Sequence, residues 1–259
     1  MNSLCEPSPL RRTHDGKEIQ IPTAGGTTEG VIYFPGDTGC WPGVIHYTDI
    51  GGIRASHEEM ARRLSAEGYV VLMPNVFFRA RGLPLFDFPL KFGEERTTKR
   101  LAELSAPLTR EAITSDASDY VNYLARQDSV KPGPVGVVGY CFTGKMALYT
   151  AFSRPDLIAA AASFHGGGLA TDAPNSPHLI LGPLITARLY FGHAVSDKGM
   201  PAEAIARLNR ALEAWGGSYE SEVYEGAYHS WTVPDSPVYN QPQAERAFEK
   251  LTNLFAETL

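Results

Sequence analysis

Short apolar runs alternate with longer amphipathic stretches along most of the chain. Residues 30–34, 43–47 and 69–73 are compact apolar runs bounded by turn-forming residues or proline, as buried strands are. The runs at 135–138, 158–164, 185–191 and 219–224 repeat the pattern. Between them, apolar positions fall on helical spacing. Residues 56–67 read as a helix with Ser56 as side-chain cap and Glu59 as its capping-box partner. Residues 109–126 place Ile113, Ala117, Tyr120, Val121 and Leu124 on one stripe. Residues 142–152, 202–215 and 243–255 are helical too, and Gly216-Gly217 ends the second of these. Strands alternating with helices imply βαβ units, hence an α/β fold with a mostly parallel sheet and helices on both faces. Ligands on such sheets bind beyond the carboxyl ends of the strands, so function is sought in the loops that follow them.

One stretch breaks the alternation. Residues 75–107 hold three prolines and the aromatics Phe77, Phe78, Phe86, Phe88 and Phe92. A connection of that length is either functional or partly helical, and it is expected to roof the active site. Residues 1–13 read as a loose, proline-containing arm, leaving 14–259 as a single α/β domain.

Composition narrows the partners. Of the 259 residues, 43% are hydrophobic and 20% charged, which suits one sizeable core. The net charge is −6 with the two signs interspersed, so no basic stripe points to nucleic acid. The apolar runs are too short to span a bilayer, and the first residues lack the apolar core of a secretory signal. The cysteines are Cys5, Cys40 and Cys141, without CxxC or zinc spacing. Reduced thiols in a cytoplasmic protein are therefore expected. The histidines show no metal-binding spacing such as HExxH, so neither metal nor cofactor is expected.

Three loops after strands carry candidate chemistry. Cys141, in Gly139-Tyr140-Cys141-Phe142-Thr143-Gly144, sits between a buried strand and a helix. A nucleophile on so sharp a turn needs small neighbours, because adjacent segments pass close. The helix N-terminus aimed at the sulfur favours a thiolate. Asp197 follows the run 185–191, and His229 follows the run 219–224. Nucleophile, acid, histidine is the chain order of an α/β-hydrolase triad. In that reading His229 takes the thiol proton and Asp197 fixes the imidazole tautomer.

These motifs resemble the dienelactone hydrolase family, cysteine hydrolases of the α/β-hydrolase fold, from about residue 30 to the C-terminus. Gly139 to Gly144 resembles the family's G-Y-C-x-G-G, with Thr143 in place of a glycine. Asp197-Lys198-Gly199-Met200-Pro201 and His229-Ser230-Trp231 resemble its acid and histidine motifs. Tyr47-Thr48-Asp49-Ile50-Gly51-Gly52-Ile53-Arg54 resembles the loop that supplies a thiol-activating acid and an oxyanion amide. The resemblance implies that Asp49 is that acid, one methylene shorter than the family's glutamate, and that the backbone N–H groups of Ile50 and Phe142 form the oxyanion hole. It also implies arginines that clamp a substrate carboxylate, but the position four residues after the histidine is Val233. Arg54, Arg79 and Arg81 are then the alternative sources of charge, with Phe78 and Trp231 as further substrate contacts. His165-Gly166-Gly167-Gly168 falls after the nucleophile and is not read as an oxyanion loop, although its glycines allow close backbone approach.

The implied function is hydrolysis of a small-molecule ester or lactone through an acyl-cysteine, by a monomer or homodimer. Acyl or thioester transfer on the same thiol is an alternative. A non-catalytic binding protein or thiol sensor on this scaffold is another.

Overall fold

The computed structural model describes residues 16–259, so the arm expected over 1–13 lies outside the described residues. Eight strands form one sheet: β1 (Lys17–Thr23), β2 (Gly26–Tyr33), β3 (Trp41–Tyr47), β4 (Val70–Pro74), β5 (Val130–Tyr140), β6 (Ile158–Phe164), β7 (Arg188–Ala194) and β8 (Tyr219–Tyr224). Their spatial order is β1-β2-β4-β3-β5-β6-β7-β8. The β1–β2 and β2–β4 pairs are antiparallel, and all others are parallel. The helices are α1 (Ala55–Ala66), α2 (Glu95–Ser105), α3 (Arg110–Ala125), α4 (Gly144–Ser153), α5 (Ala202–Trp215) and α6 (Gln241–Thr258). Among the described residues, no helix is long and apolar enough to cross a membrane.

Alternation along the strands divides the core in two. Val70 and Leu72 of β4 and Val135 and Val137 of β5 face one cluster, with Tyr120 and Leu124 of α3, Leu148 of α4 and Leu208 of α5. Val71, Met73, Val138 and Tyr140 face the other, with Leu64 of α1 and Leu251 and Phe255 of α6. Both faces are covered, which is why the central strands read as continuous apolar runs.

Several boundaries differ from expectation. Strand β1 gave no clear pattern, because this edge strand buries only Ile21 fully and carries Pro22. Helix α1 begins at Ala55, and its N-cap, Arg54, makes no side-chain cap bond, so Ser56 is a buried helical residue and the capping box is absent. Helix α3 is capped as its sequence suggests, Thr109 accepting from the Ala112 amide. The strand expected over 185–191 is shifted to Arg188–Ala194, with Leu189 and Phe191 in one core and Tyr190 in the other. Ile185 is buried outside the sheet. Within 75–107, α2 supplies the helical part. The expectation of three reduced thiols fails at Cys40, which is disulfide-bonded, whereas Cys141 is free.

Candidate active site

Five loops meet at the carboxyl edge of the sheet. The register aligns Tyr47 of β3 with Gly139, Tyr140 of β5 with Phe164, and Phe164 of β6 with Gly192. Ala194 at the end of β7 pairs with Tyr224 at the end of β8. The residues just beyond these ends are therefore neighbours in space, though they lie far apart in sequence.

Cys141 follows β5 at φ 56°, in the left-handed region that non-glycine residues rarely occupy. A single turn, Cys141–Thr143, then leads into α4. The two flanking glycines are required by contact. A Cβ on Gly139 would lie 2.3 Å from Thr143 O, and one on Gly144 would lie 2.3 Å from Ser163 Oγ and 2.8 Å from Gly166 Cα. Thr143, the departure from the family pattern, is fully buried, and its Oγ1 accepts from the Tyr140 amide at 2.9 Å. The threonine thus laces the turn that a glycine would leave open.

His229 Nε2 lies 3.0 Å from Cys141 Sγ, and His229 Nδ1 lies 2.6 Å from Asp197 Oδ2. The other oxygen of Asp197 accepts from the Gly199 amide at 2.7 Å. Burial opposes ionisation of Asp197, but the hydrogen bond and charge of His229 outweigh it and hold the carboxyl below its usual range. Burial likewise opposes a charge on His229, yet the hydrogen bonds to Asp197 and Cys141 push its pKa up to about 10. An imidazole so placed can take a thiol proton and keep it, with Asp197 fixing the ring through Nδ1.

A second histidine ties this relay to the turn. His165 Nδ1 accepts the Cys141 amide at 3.1 Å, and its Nε2 is 2.8 Å from Thr232 Oγ1. Accepting at Nδ1 places the ring proton on Nε2. Burial and the neighbouring charge of His229 push its pKa down, so it stays neutral. The Gly167 amide donates to Cys141 O at 3.2 Å. The glycine run after β6 is therefore packed beneath the cysteine turn, as close backbone approach requires. Sequence reading missed His165 and Thr232 as partners. The visible clue was a histidine and three glycines after a strand adjacent to β5.

Asp49 sits in the loop after β3, buried, and both its oxygens are held by Arg54 at 2.7 and 2.9 Å. His57 Nε2 lies 3.3 Å from Oδ2. Burial opposes the charge, but the Arg54 guanidinium on both oxygens outweighs it and holds this carboxyl far below the usual range. The carboxylate is thus committed to a cation, while the thiol has His229 as its hydrogen-bond partner. Around Ile50 the adjoining amides are already used: Asp49 N–H donates to His57 Nε2 and Gly51 N–H to Asp49 Oδ1.

Two clefts open beside the sulfur. One, of about 570 Å³, is lined by Cys141, Ile50, Phe142, Lys145, Gly167, Gly168, Gly199 and the α2 residues Leu101, Ala102 and Ser105. The other, of about 460 Å³, adds Asp49, Arg54, Leu90, Lys91, Phe92, Ser230 and Asp235. Residues 90–92 and the C-terminal half of α2 therefore line the site, whereas the Phe78–Arg81 part of the expected roof does not. Arg79 is paired with Asp116 on α3 through two hydrogen bonds of 2.8 Å, and Phe78 packs near Gly26 at the β1–β2 turn. Arg81 donates to Pro84 O and pairs with Asp87. Trp231 is fully buried, its ring against Tyr224 and His165, so it supports the site from beneath. Arg54 lines the second cleft but is shared between Asp49 and Asp235. Among the described residues, no group of three or more His, Cys, Asp or Glu side chains is placed to hold a metal ion.

Arg79→Ala should leave KM for small esters unchanged and lower stability by roughly 2–3 kcal/mol, because it strands the buried Asp116 carboxylate. Urea unfolding and steady-state kinetics on the same preparation measure both. A changed ester preference at unchanged stability would reverse this placement.

The sheet order and the placement of the strand-end loops define an enzyme of the α/β-hydrolase fold. The sequence model of the dienelactone hydrolase family matches residues 28–259, and the chain belongs to that family of hydrolases. It is 28% identical over 247 residues to a Synechocystis sp. protein provisionally named carboxymethylenebutenolidase, covering 93% of this chain and 96% of that one. It is 26% identical over 216 residues to a Rhodococcus opacus protein named carboxymethylenebutenolidase, covering 80% and 78%. A Klebsiella pneumoniae crystal structure provisionally described as a dienelactone hydrolase superposes with a TM-score of 0.83 at 21% identity, over 95% of this chain and 99% of that one.

Proposed function

We propose that the protein hydrolyses a carboxylic ester or lactone through an acyl intermediate on Cys141. The observation that carries this reading is the Cys141–His229–Asp197 chain of contacts, with the thiol opening onto both clefts. The thiolate attacks the carbonyl carbon, and the carbonyl oxygen becomes an oxyanion facing the Ile50 and Phe142 amides. His229, protonated by the thiol, gives that proton to the leaving alkoxide as the C–O bond breaks. Water then attacks the thioester, His229 takes its proton, and the thiolate leaves as the acid forms. Asp49, held on both oxygens by Arg54, keeps the Ile50 loop in shape, while His229 takes the thiol proton. The carboxymethylenebutenolidase names of the relatives support a lactone among the substrates.

Rapid quenching after mixing with p-nitrophenyl acetate tests this. A stoichiometric burst of p-nitrophenolate and an acetyl group on the peptide containing Cys141 are expected. Acetylation elsewhere, or turnover with no acylated cysteine, would overturn the proposal.

A further inference from the structure

Two fully buried histidines hold the two loops of the site in the same way. His165 Nδ1 accepts the amide of Cys141, the residue before Phe142. His57 Nε2 accepts the amide of Asp49, the residue before Ile50, at 3.1 Å. His57 belongs to α1, outside the loop it holds. Its Nε2 also lies 3.3 Å from Asp49 Oδ2, but both oxygens of that carboxylate already accept from Arg54. The Asp49 amide has His57 as its acceptor, and a buried amide left without one is costly, so Nε2 accepts and the ring proton sits on Nδ1. His46 Nε2, on β3, lies 2.9 Å from that Nδ1 and takes the hydrogen bond. His46 then carries its own proton on Nδ1, a buried donor with no hydrogen-bond partner among the described residues. Burial and the charge of His57 push the His46 pKa down, which keeps Nε2 an acceptor. A donor left unpartnered in the core calls for a reason. Here the reason is the direction it imposes on the His57 bond. The Tyr140 ring packs against His46, His57 and His165 together, so one aromatic side chain seats both supports.

We propose that His57, oriented by His46, is a positioning residue that aims the Ile50 amide at the oxyanion, as His165 does for the Phe142 amide. This rests on the hydrolase reading above and adds the groups that set its two donors. The peptide that carries the Ile50 N–H is bracketed on both sides. His57 fixes the peptide before it through the Asp49 amide, and Asp49 Oδ1 fixes the peptide after it through the Gly51 amide at 2.8 Å. A donor held by its neighbours needs no reorganisation when charge develops on the carbonyl oxygen. Neither His57 nor His46 touches the sulfur or the relay, so the proposal separates aiming from proton transfer.

The test sets ester turnover against alkylation of the same sulfur. Acylation and deacylation both pass through a tetrahedral oxyanion, whereas iodoacetamide alkylates the thiolate by displacing iodide and forms none. His57→Leu removes the acceptor and keeps the bulk. Its kcat on p-nitrophenyl acetate should fall by ~10–100-fold, short of the loss of a whole oxyanion donor. KM should stay within about threefold of wild type, because burst and steady-state rates fall together. Iodoacetamide labelling of Cys141 should stay within about twofold of wild type, since the thiolate and His229 are untouched. In His57→Gln, Oε1 can take the place of Nε2 and accept the Asp49 amide, so kcat should return to within roughly fivefold of wild type. Equal losses of turnover and labelling in His57→Leu would mean general damage to the site and would overturn the inference. A leucine enzyme with wild-type kcat, or a glutamine enzyme no better than the leucine one, would overturn it too. Absence of acetyl-Cys141 in the wild-type enzyme, seen by mass spectrometry, would instead remove the hydrolase reading. His57→Met takes the place of the leucine variant if that one does not fold.

Discussion

Cys141→Ala should fold as wild type does and lose at least ~10⁴-fold in kcat/KM on p-nitrophenyl esters. The alanine removes the only atom that can form the thioester and leaves the turn unchanged. His229→Ala should lose a comparable amount, and the double variant little more, because the two side chains act as one unit across a 3.0 Å contact. Asp197→Asn keeps the shape but offers Nδ1 the wrong partner, and a loss of ~10⁴ is expected there too. Labelling by iodoacetamide gives an independent reading. The raised pKa of His229, about 10, keeps the imidazolium beside the sulfur through neutral pH. Labelling of wild type at neutral pH should therefore be faster than that of His229→Ala, which lacks the cation beside the sulfur. A Cys141→Ala enzyme within tenfold of wild type would end the cysteine mechanism.

Gly139→Ala should be the most damaging change of a single methyl. The new Cβ would stand 2.3 Å from Thr143 O, a backbone atom that cannot rotate away. Overpacking in a core costs roughly 1–3 kcal/mol, and a clash with backbone belongs at or above the top of that range. Relief requires moving the Thr143 carbonyl, hence the turn that aims Cys141 at His229. A displacement of about 1 Å costs ~10²-fold in rate, so activity should fall even in the folded fraction. Gly167→Ala is the control, because its Cβ would meet only Gly199, at 3.9 Å. Urea unfolding of both variants should separate them by at least ~2 kcal/mol; equal stabilities would show that the turn has slack which the contacts exclude.

The parts of this molecule legible in its sequence are those governed by local rules. Buried parallel strands announce themselves as apolar runs, and a nucleophile on a tight turn announces itself through Gly139 and Gly144. The order of Cys141, Asp197 and His229 after three strands was enough to bring them together in thought, and the structure places them in contact. What escaped was governed by distant partners. Nothing around Arg79 reveals that Asp116, on a helix 37 residues later, holds it. Trp231 looks like a substrate contact beside His229, yet the strand ends pull it beneath the site. Strand β1 hides because an edge strand with one fully buried side chain carries little pattern. The run His165 to Gly168 reads in sequence as glycines allowing close backbone approach and not as an oxyanion loop; that His165 accepts the Cys141 amide depends on a partner 24 residues away.

The shorter wall of the larger cleft has a consequence for how this enzyme could be retooled. Helix α2 contributes Leu101, Ala102 and Ser105 to that wall, yet it buries only Thr97 and Leu104. The proton relay stands on β5, β7 and β8, none of which depends on α2 for its register. The α2 part of the cleft wall and the Cys141–His229–Asp197 contacts are therefore carried by separable pieces of chain. Rewriting the eleven residues of α2 would reshape that wall while leaving the Cys141–His229–Asp197 contacts in place.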